Sequence, residues 1–335
     1  MLRSIGVGLA IALALPAICV AQEKQADKLS LDVTNQAVRE VAKTLVVATG
    51  VTVLPTQTAG EATATVKVTD AKLEDAVKAV ADAIDGSWLR AYVIEPAGQE
   101  PGEETIDDVL ERLQVAWRDW MLTCTDEELD AFRERTVAAI ATGGAPTPPQ
   151  ETAGGGLMVD LVGTLQGPFH AEQVSLKLDA ADIREALKQF TLQSGYITLL
   201  SADVTGKVTL DVTNEELPKA LDAICAPANA KWRLLYIIGK PREVTPDEME
   251  QRVMEMVQRG AEDFWKQPPE QRQQIMQRIT EGMGSIPPEA RNAIKNSPWT
   301  GRIMGRVMQF IFTLTPDQRR EIAPLMQGIG KLMAP

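Results

Sequence analysis

The chain holds one histidine and three tyrosines in 335 residues, and aromatic residues make up only 4% of it. A lone imidazole, His170, cannot build a zinc site without cysteine or carboxylate partners at ligand spacing, and none stands close to it in the sequence. It is expected at the surface. No G-x-S-x-G, P-loop or CxxC pattern occurs, so elbow-type hydrolysis, phosphate-loop nucleotide binding and dithiol redox chemistry lack their usual carriers. The Gly154, Gly155, Gly156 run leads into "LMVDLVGTL", a strand pattern that would present no helix dipole to a phosphate. Acidic groups such as Asp107 with Asp108 and residues 126–128 fall at predicted helix starts, where capping accounts for them. A non-enzyme is expected, with no catalytic residue, no metal ligand and no cofactor.

Long hydrophobic runs are also missing. Beyond the N-terminus none reaches the roughly 18 continuous apolar residues of a membrane-crossing helix, so no integral span is expected. The N-terminus itself has Arg3, an apolar run from Ile5 to Leu15, Pro16, and the triplet Cys19, Val20, Ala21. That is the form of a secretory signal peptide over residues 1–21, cleaved after Ala21, which predicts an exported, periplasmic protein. Lipidation at Cys19 would need a small residue before it, and Ile18 stands there. Of the three cysteines, Cys124 and Cys225 would survive cleavage. Two separate buried thiols are the expectation, although an exported compartment would permit them to pair. Basic residues are outnumbered 34 to 46, giving a net charge of −12. Such a surface repels phosphate backbones, so no nucleic acid is expected and a basic partner is more natural.

What the chain does have is a repeat. "WLRAYVI" at 88–94 returns as "WRLLYII" at 232–238, an offset of 144, in a protein with six Trp and three Tyr. The likeness spreads: "LSLDVTNQAVREVAKTLVVATGVTVL" from Leu29 aligns with "VSLKLDAADIREALKQFTLQSGYITLL" from Val174, and "VKVTDAKLEDAVKAV" from Val66 with "LDVTNEELPKALDAI" from Leu210. In each copy an opening strand precedes a helix striped by Val38, Val41 and Leu45, or by Ile183, Leu187 and Phe190. Gly50 and Gly195 end those helices, where a left-handed residue costs least. A short second strand follows, then an alternating third strand (Ala64, Val66, Val68; Val208, Leu210, Val212) and a second helix (Leu73, Val77, Val80; Leu217, Leu221, Ile224). Pro218 must lie in that helix's first turn.

The fourth strand is apolar on both faces, with Trp88, Tyr92 and Ile94 on one and Leu89, Ala91 and Val93 on the other. A strand of that kind is covered on both sides. The fold class predicted is α+β: two tandem βαββαβ units at 29–95 and 174–239, each followed by a helical hairpin that covers its sheet, then an all-helical C-terminal region. Helical segments are expected at 105–142 and 245–335, with Trp120 answered by Trp265, and a linker at 143–168.

Past Thr280 the pattern is helical only. "PPEQRQQI", "PPEARNAI" and "TPDQRREI" read as helix starts, with Pro in the first turn and an early carboxylate. "LTPDQRREI" from Leu314 is also similar to the LTxxQ motif of Spy-like periplasmic chaperones, through Leu314, Thr315 and Gln318. Nine of the twelve Met residues lie in 249–333, which would suit gap filling in a core or an adaptable binding surface. "WTGRIMGRVMQFIF" sets Arg302 and Arg306 beside apolar bulk; it is expected to be a buried helix, and Trp299, Arg302, Arg306 and Phe310 are the candidate partner-binding residues.

The second copy, with its opening apolar strand, helix ending at Gly195, "VTGKVTLDV" hairpin strand and "LPKALDAI" helix, resembles the secretin and TonB-receptor short N-terminal domain. The first copy is similar but has "TAGEATATVKV" at the hairpin. The resemblance implies an extracytoplasmic module that docks a protein of a secretion or receptor system in the cell envelope. Members of that family continue into a membrane β-barrel; no run of alternating ten-residue strands follows here. An envelope adaptor is therefore expected, with a Spy-like holdase as the alternative.

Overall fold

The computed structural model describes residues 28–100, 102, 104–141, 150–151, 157–165, 169–284, 291, 295 and 298–333. The expected signal peptide and most of the glycine-rich linker lie outside them. The chain is a mixed α/β protein with several small sheets and a helical C-terminal region.

The first half runs β1 (Leu29–Ala37), α1 (Val38–Thr49), β2 (Thr52–Pro55), the short α2 (Gln57–Glu61), β3 (Thr63–Ala71), α3 (Leu73–Asp82) and β4 (Ser87–Pro96). Two helices follow, α4 (Ile106–Thr123) and α5 (Asp126–Ala141). The connecting region carries β5 (Gln150–Glu151), β6 (Leu157–Val159) and α6 (Leu161–Leu165). The second half runs β7 (Gln173–Asp182), α7 (Ile183–Ser194), β8 (Ile197–Leu200), β9 (Lys207–Glu216), α8 (Leu217–Cys225) and β10 (Ala230–Gly239). Then come β11 (Arg242–Val244), α9 (Pro246–Lys266), α10 (Pro269–Gly284), α11 (Pro298–Thr313), α12 (Pro316–Glu321) and α13 (Ala323–Met333).

The duplication shows in local geometry. Gly50 and Gly195 close α1 and α7 in left-handed conformations, with φ of 70° and 77°. The antiparallel pairs β1–β3 and β7–β9 are bulged at matching places. Asn35 and Ala180 both have positive φ (51° and 47°), and each N–H donates to a threonine hydroxyl, Thr65 at 2.9 Å and Thr209 at 3.0 Å. Asp70 and Asn214 repeat this with the serines Ser30 and Ser175. A bulge leaves its extra N–H outside the ladder, and here a side chain takes it up.

The long strands depart from the expectation of two separate units. The central sheet has the order β2-β10-β4-β8. β4 pairs in parallel with β8 of the other half, and β10 with β2. Between them β4 and β10 run antiparallel over ten residue pairs, from Ala230 opposite Pro96 to Gly239 opposite Ser87. Each strand thus starts over its own half's helices and ends over the other's. Tyr236 and Ile238 of β10 complete the core of α1 and α3, whereas Tyr92 and Ile94 of β4 complete that of α7 and α8. Both faces of β4 are covered, as its sequence requires.

One lid serves this shared sheet. Val109, Leu110 and Leu113 of α4, with Val162 of α6, bury Leu89, Ala91, Val93, Leu235 and Ile237. The second hairpin, α9 with α10, does not repeat the arrangement, because one sheet has one far face and α4 already occupies it. Instead it joins the first hairpin through ion pairs, Arg118 to Asp263 at 2.9 Å and Arg259 to Glu111 at 3.2 Å. Trp120 and Trp265, expected to be equivalents, differ accordingly: Trp120 is buried with Cys124 and Leu192, and Trp265 packs among the C-terminal helices. The predicted linker is also partly built, since β6 pairs with β11 and α6 docks on the sheet. Among the described residues no helix is long and apolar enough to cross a membrane.

Candidate functional site

Three places gather chemistry. The first lies at the middle of the sheet. Arg90 interrupts the apolar face of β4 between Trp88 and Tyr92, and all three tyrosines of the chain converge on it. Its guanidinium pairs with Glu74 at 3.0 Å, donates to the Tyr92 hydroxyl, and sits 4.6 Å from the centre of the Tyr196 ring. Burial pushes the phenols of Tyr92 and Tyr236 well above their ordinary range against the opposing pull of the Arg90 charge, so both stay neutral. His170 stacks on Tyr196 with ring centres 4.5 Å apart. Its residue surface remains exposed, as expected, but desolvation of the imidazole where it stacks on Tyr196, and then the Arg90 charge, push its pKa down to about 4. The Arg90 Nε is buried without an acceptor among the described residues. Arg90 and its neighbours tie the two halves together where the strands cross.

The second is a cleft of about 1180 Å³ beside β8, the outer strand of the sheet. One wall is α4, through Arg112, Ala116, Trp117 and Trp120; the other is α7, through Arg184, Leu187, Lys188 and Thr191; α10 closes it with Gln271, Gln274 and Arg278. Trp117 and Trp120 stack at 4.8 Å, and the Trp120 indole N–H is buried with no acceptor among the described residues. Lys188 is satisfied by Glu128 at 3.1 Å and Glu185 at 2.8 Å, which fixes α5 against α7. The Thr125 N–H, Lys188 and Gln189 outweigh burial and lower the Glu128 pKa. Arg184 is exposed and makes no ion pair among the described residues.

The third is the groove that holds most of the residues singled out from sequence. Arg302, Arg306 and Phe310 line a space of about 760 Å³ between α9 and α11. Its arginines are already engaged: Arg302 reaches Asp247 at 2.6 Å and Glu250 at 3.4 Å, and Arg306 pairs with Glu250. The side chain of Trp299 lies outside the described residues. α11 is not the buried helix expected; Ile311 is buried, but Arg302, Arg306 and Phe312 are exposed.

No protein-family model, curated protein or solved structure matches this chain.

Cys124 and Cys225 are free thiols buried in different cores. Burial raises their pKa values to about 11 and about 12, which leaves them as inert hydrophobes. Among the described residues no group of His, Cys, Asp or Glu is placed to hold a metal ion. The "LTPDQ" segment serves as a capping box: Thr315 accepts from the Gln318 N–H, and the Gln318 side chain accepts from the Thr315 N–H. The sequence reading missed the cleft, although one signal for Arg90 was visible, an arginine placed in an otherwise apolar strand beside one of three tyrosines.

Proposed function

We propose that this is an exported, non-enzymatic adaptor of the bacterial cell envelope that docks a protein partner. The modules derive, in this reading, from a duplicated βαββαβ unit of the secretin and TonB-receptor short N-terminal type, rebuilt as one body by exchange of the fourth strands. The observation that carries the reading is the outer edge of β8, unpaired among the described residues and facing a cleft of about 1180 Å³. An open strand edge inside a walled cleft invites another chain and offers no group poised for bond cleavage.

A holdase is the second reading, and the exposed side chains Met256 (69%) and Phe312 (67%) on the C-terminal helices favour it. Cross-linked capture from envelope extract separates the two. The adaptor reading expects one partner recovered at fixed stoichiometry and no protection of unrelated unfolded proteins. Protection of several such proteins from aggregation, with no fixed partner, would instead establish the holdase.

A further inference from the structure

We infer that β8 accepts a fifth strand, an extended partner segment that alternates apolar and acidic side chains, and that the opposite edge of the sheet is blocked against the same event. This deepens the adaptor reading and rests on it. The two edges are equivalent by sequence, yet they are finished differently. Ser201 donates its N–H to the Ile94 carbonyl at 2.9 Å, and Thr56 donates to Ile238 at 2.8 Å. Successive residues of a strand turn their backbone groups to opposite edges, so these bonds set the phase of each. On β8 it is Thr198 and Leu200 that turn their N–H and C=O outward. On β2 it is Val53 and Pro55.

Pro55 stands where Leu200 stands in the second copy, at an offset of 145. Proline has no N–H, so β2 cannot complete a ladder with a newcomer, which is how edges are commonly blunted. β8 keeps both outward N–H groups, and they open into the cleft.

The walls say what the guest carries. A strand laid beside β8 would point alternate side chains to α4 and to α7. Towards α4 lie the stacked rings of Trp117 and Trp120, which suit apolar groups, and the Trp120 indole N–H, in a side chain 7% exposed, has no acceptor among the described residues. A guest carbonyl would supply one. Towards α7 lies Arg184, without an acidic partner among the described residues, beside Lys188. Of the four cationic side chains that line the cleft, Arg112, Lys188 and Arg278 already pair with Glu104, Glu128 and Asp126, so Arg184 is the one that favours a carboxylate on the guest's α7-facing side.

The test uses the full mature chain and three capped heptapeptides: alternating valine and glutamate, alternating valine and lysine, and the valine–glutamate peptide N-methylated at every second residue. Tryptophan fluorescence reports binding and hydrogen exchange reports protection of the Thr198 and Leu200 amides. The valine–glutamate peptide should bind at least tenfold more tightly than the lysine peptide and protect both amides, and N-methylation on the pairing edge should abolish binding. Thr198→Pro removes one outward N–H and should weaken binding at least tenfold, with Thr198→Ser unchanged. Equal affinity for the N-methylated peptide, or no protection at β8, overturns the fifth-strand proposal even if Thr198→Pro fails to fold. A stoichiometric envelope partner that still binds Thr198→Pro at full strength would overturn it while leaving the adaptor reading in place.

Discussion

Ala91 and Leu235, which occupy equivalent positions in the two copies, are Cα partners at the centre of the four-stranded sheet. The pseudo-twofold relation of the duplication therefore passes between them, and eight of the other nine pairs across β4 and β10 fall into four symmetric couples. Trp88 lies opposite Ile238, and Trp232 opposite Ile94. Neither α/β half can unfold without stripping a strand from the other's core.

One consequence is cooperative melting. Tyr92 belongs to the first copy but is fully buried in the second copy's core, edge-on to Phe190 at 5.7 Å. Tyr92→Ala should cost about 3–5 kcal/mol, the range for deleting a buried aromatic. Calorimetry should show the whole α/β region melting together at a lower temperature. Trp232→Ala, at a half-buried position, should cost less. A transition confined to the first copy would contradict the exchange.

Much of this was legible in sequence. Helix stripes such as Val38, Val41 and Leu45, the left-handed Gly50 and Gly195, and the two-faced β4 all follow from local periodicity, which fixes which face of an element is buried. Pairing between distant strands does not. Because the copies are alike, the edge of β2 can accept β4 or β10 with nearly the same side-chain complement, so local pattern is silent on which strand is chosen. The cleft was hidden for the same reason: it arises where α4 of one copy, α7 of the other and α10 meet. That Arg302 and Arg306 are ion-paired was not legible either, because their acidic partners, Asp247 and Glu250, lie more than fifty residues away.

The bulge in β7 carries strain that its twin avoids. Ala180 sits at φ 47°, whereas the matching residue is Asn35, a type that tolerates left-handed backbone. Ala180→Asn should stabilise the protein by about 0.5–1 kcal/mol, read as a rise in the denaturation midpoint. A fall would mean the Ala180 side chain is needed where it stands.

His170 should make stability depend on pH. Its folded pKa of about 4 lies below the ordinary 6.5, because desolvation and then Arg90 disfavour the charged ring. Between those values the unfolded chain binds the extra proton, so this contribution is complete above about pH 6.5 and declines as pH falls towards 4. Melting temperatures of the wild type and His170→Gln, compared from pH 7 to pH 4, should diverge to the wild type's disadvantage on acidification. Parallel curves would show that the stacked ring titrates normally.

Arg90 and Glu74 should respond unequally. Glu74→Ala leaves a mostly buried guanidinium without its carboxylate and should cost about 1–3 kcal/mol, less than the about 3–5 kcal/mol of a fully buried pair, since Glu74 is 35% exposed. Arg90→Leu copies the residue at the equivalent position, Leu234, and should change stability by about 1 kcal/mol or less. Urea unfolding of both variants decides it, and a larger loss for Arg90→Leu would mark the tyrosine contacts as the dominant interaction.

The strand exchange itself is most directly tested by methyl NOEs in a deuterated, methyl-labelled sample. The Ile94 methyls should show NOEs to methyls of α7 and α8, such as those of Ile183, Leu187 and Leu221, and the Ile238 methyls to those of α1 and α3, such as Val41, Leu45 and Val77. The reverse pattern, with Ile94 contacting α1 and α3 and Ile238 contacting α7 and α8, would contradict it.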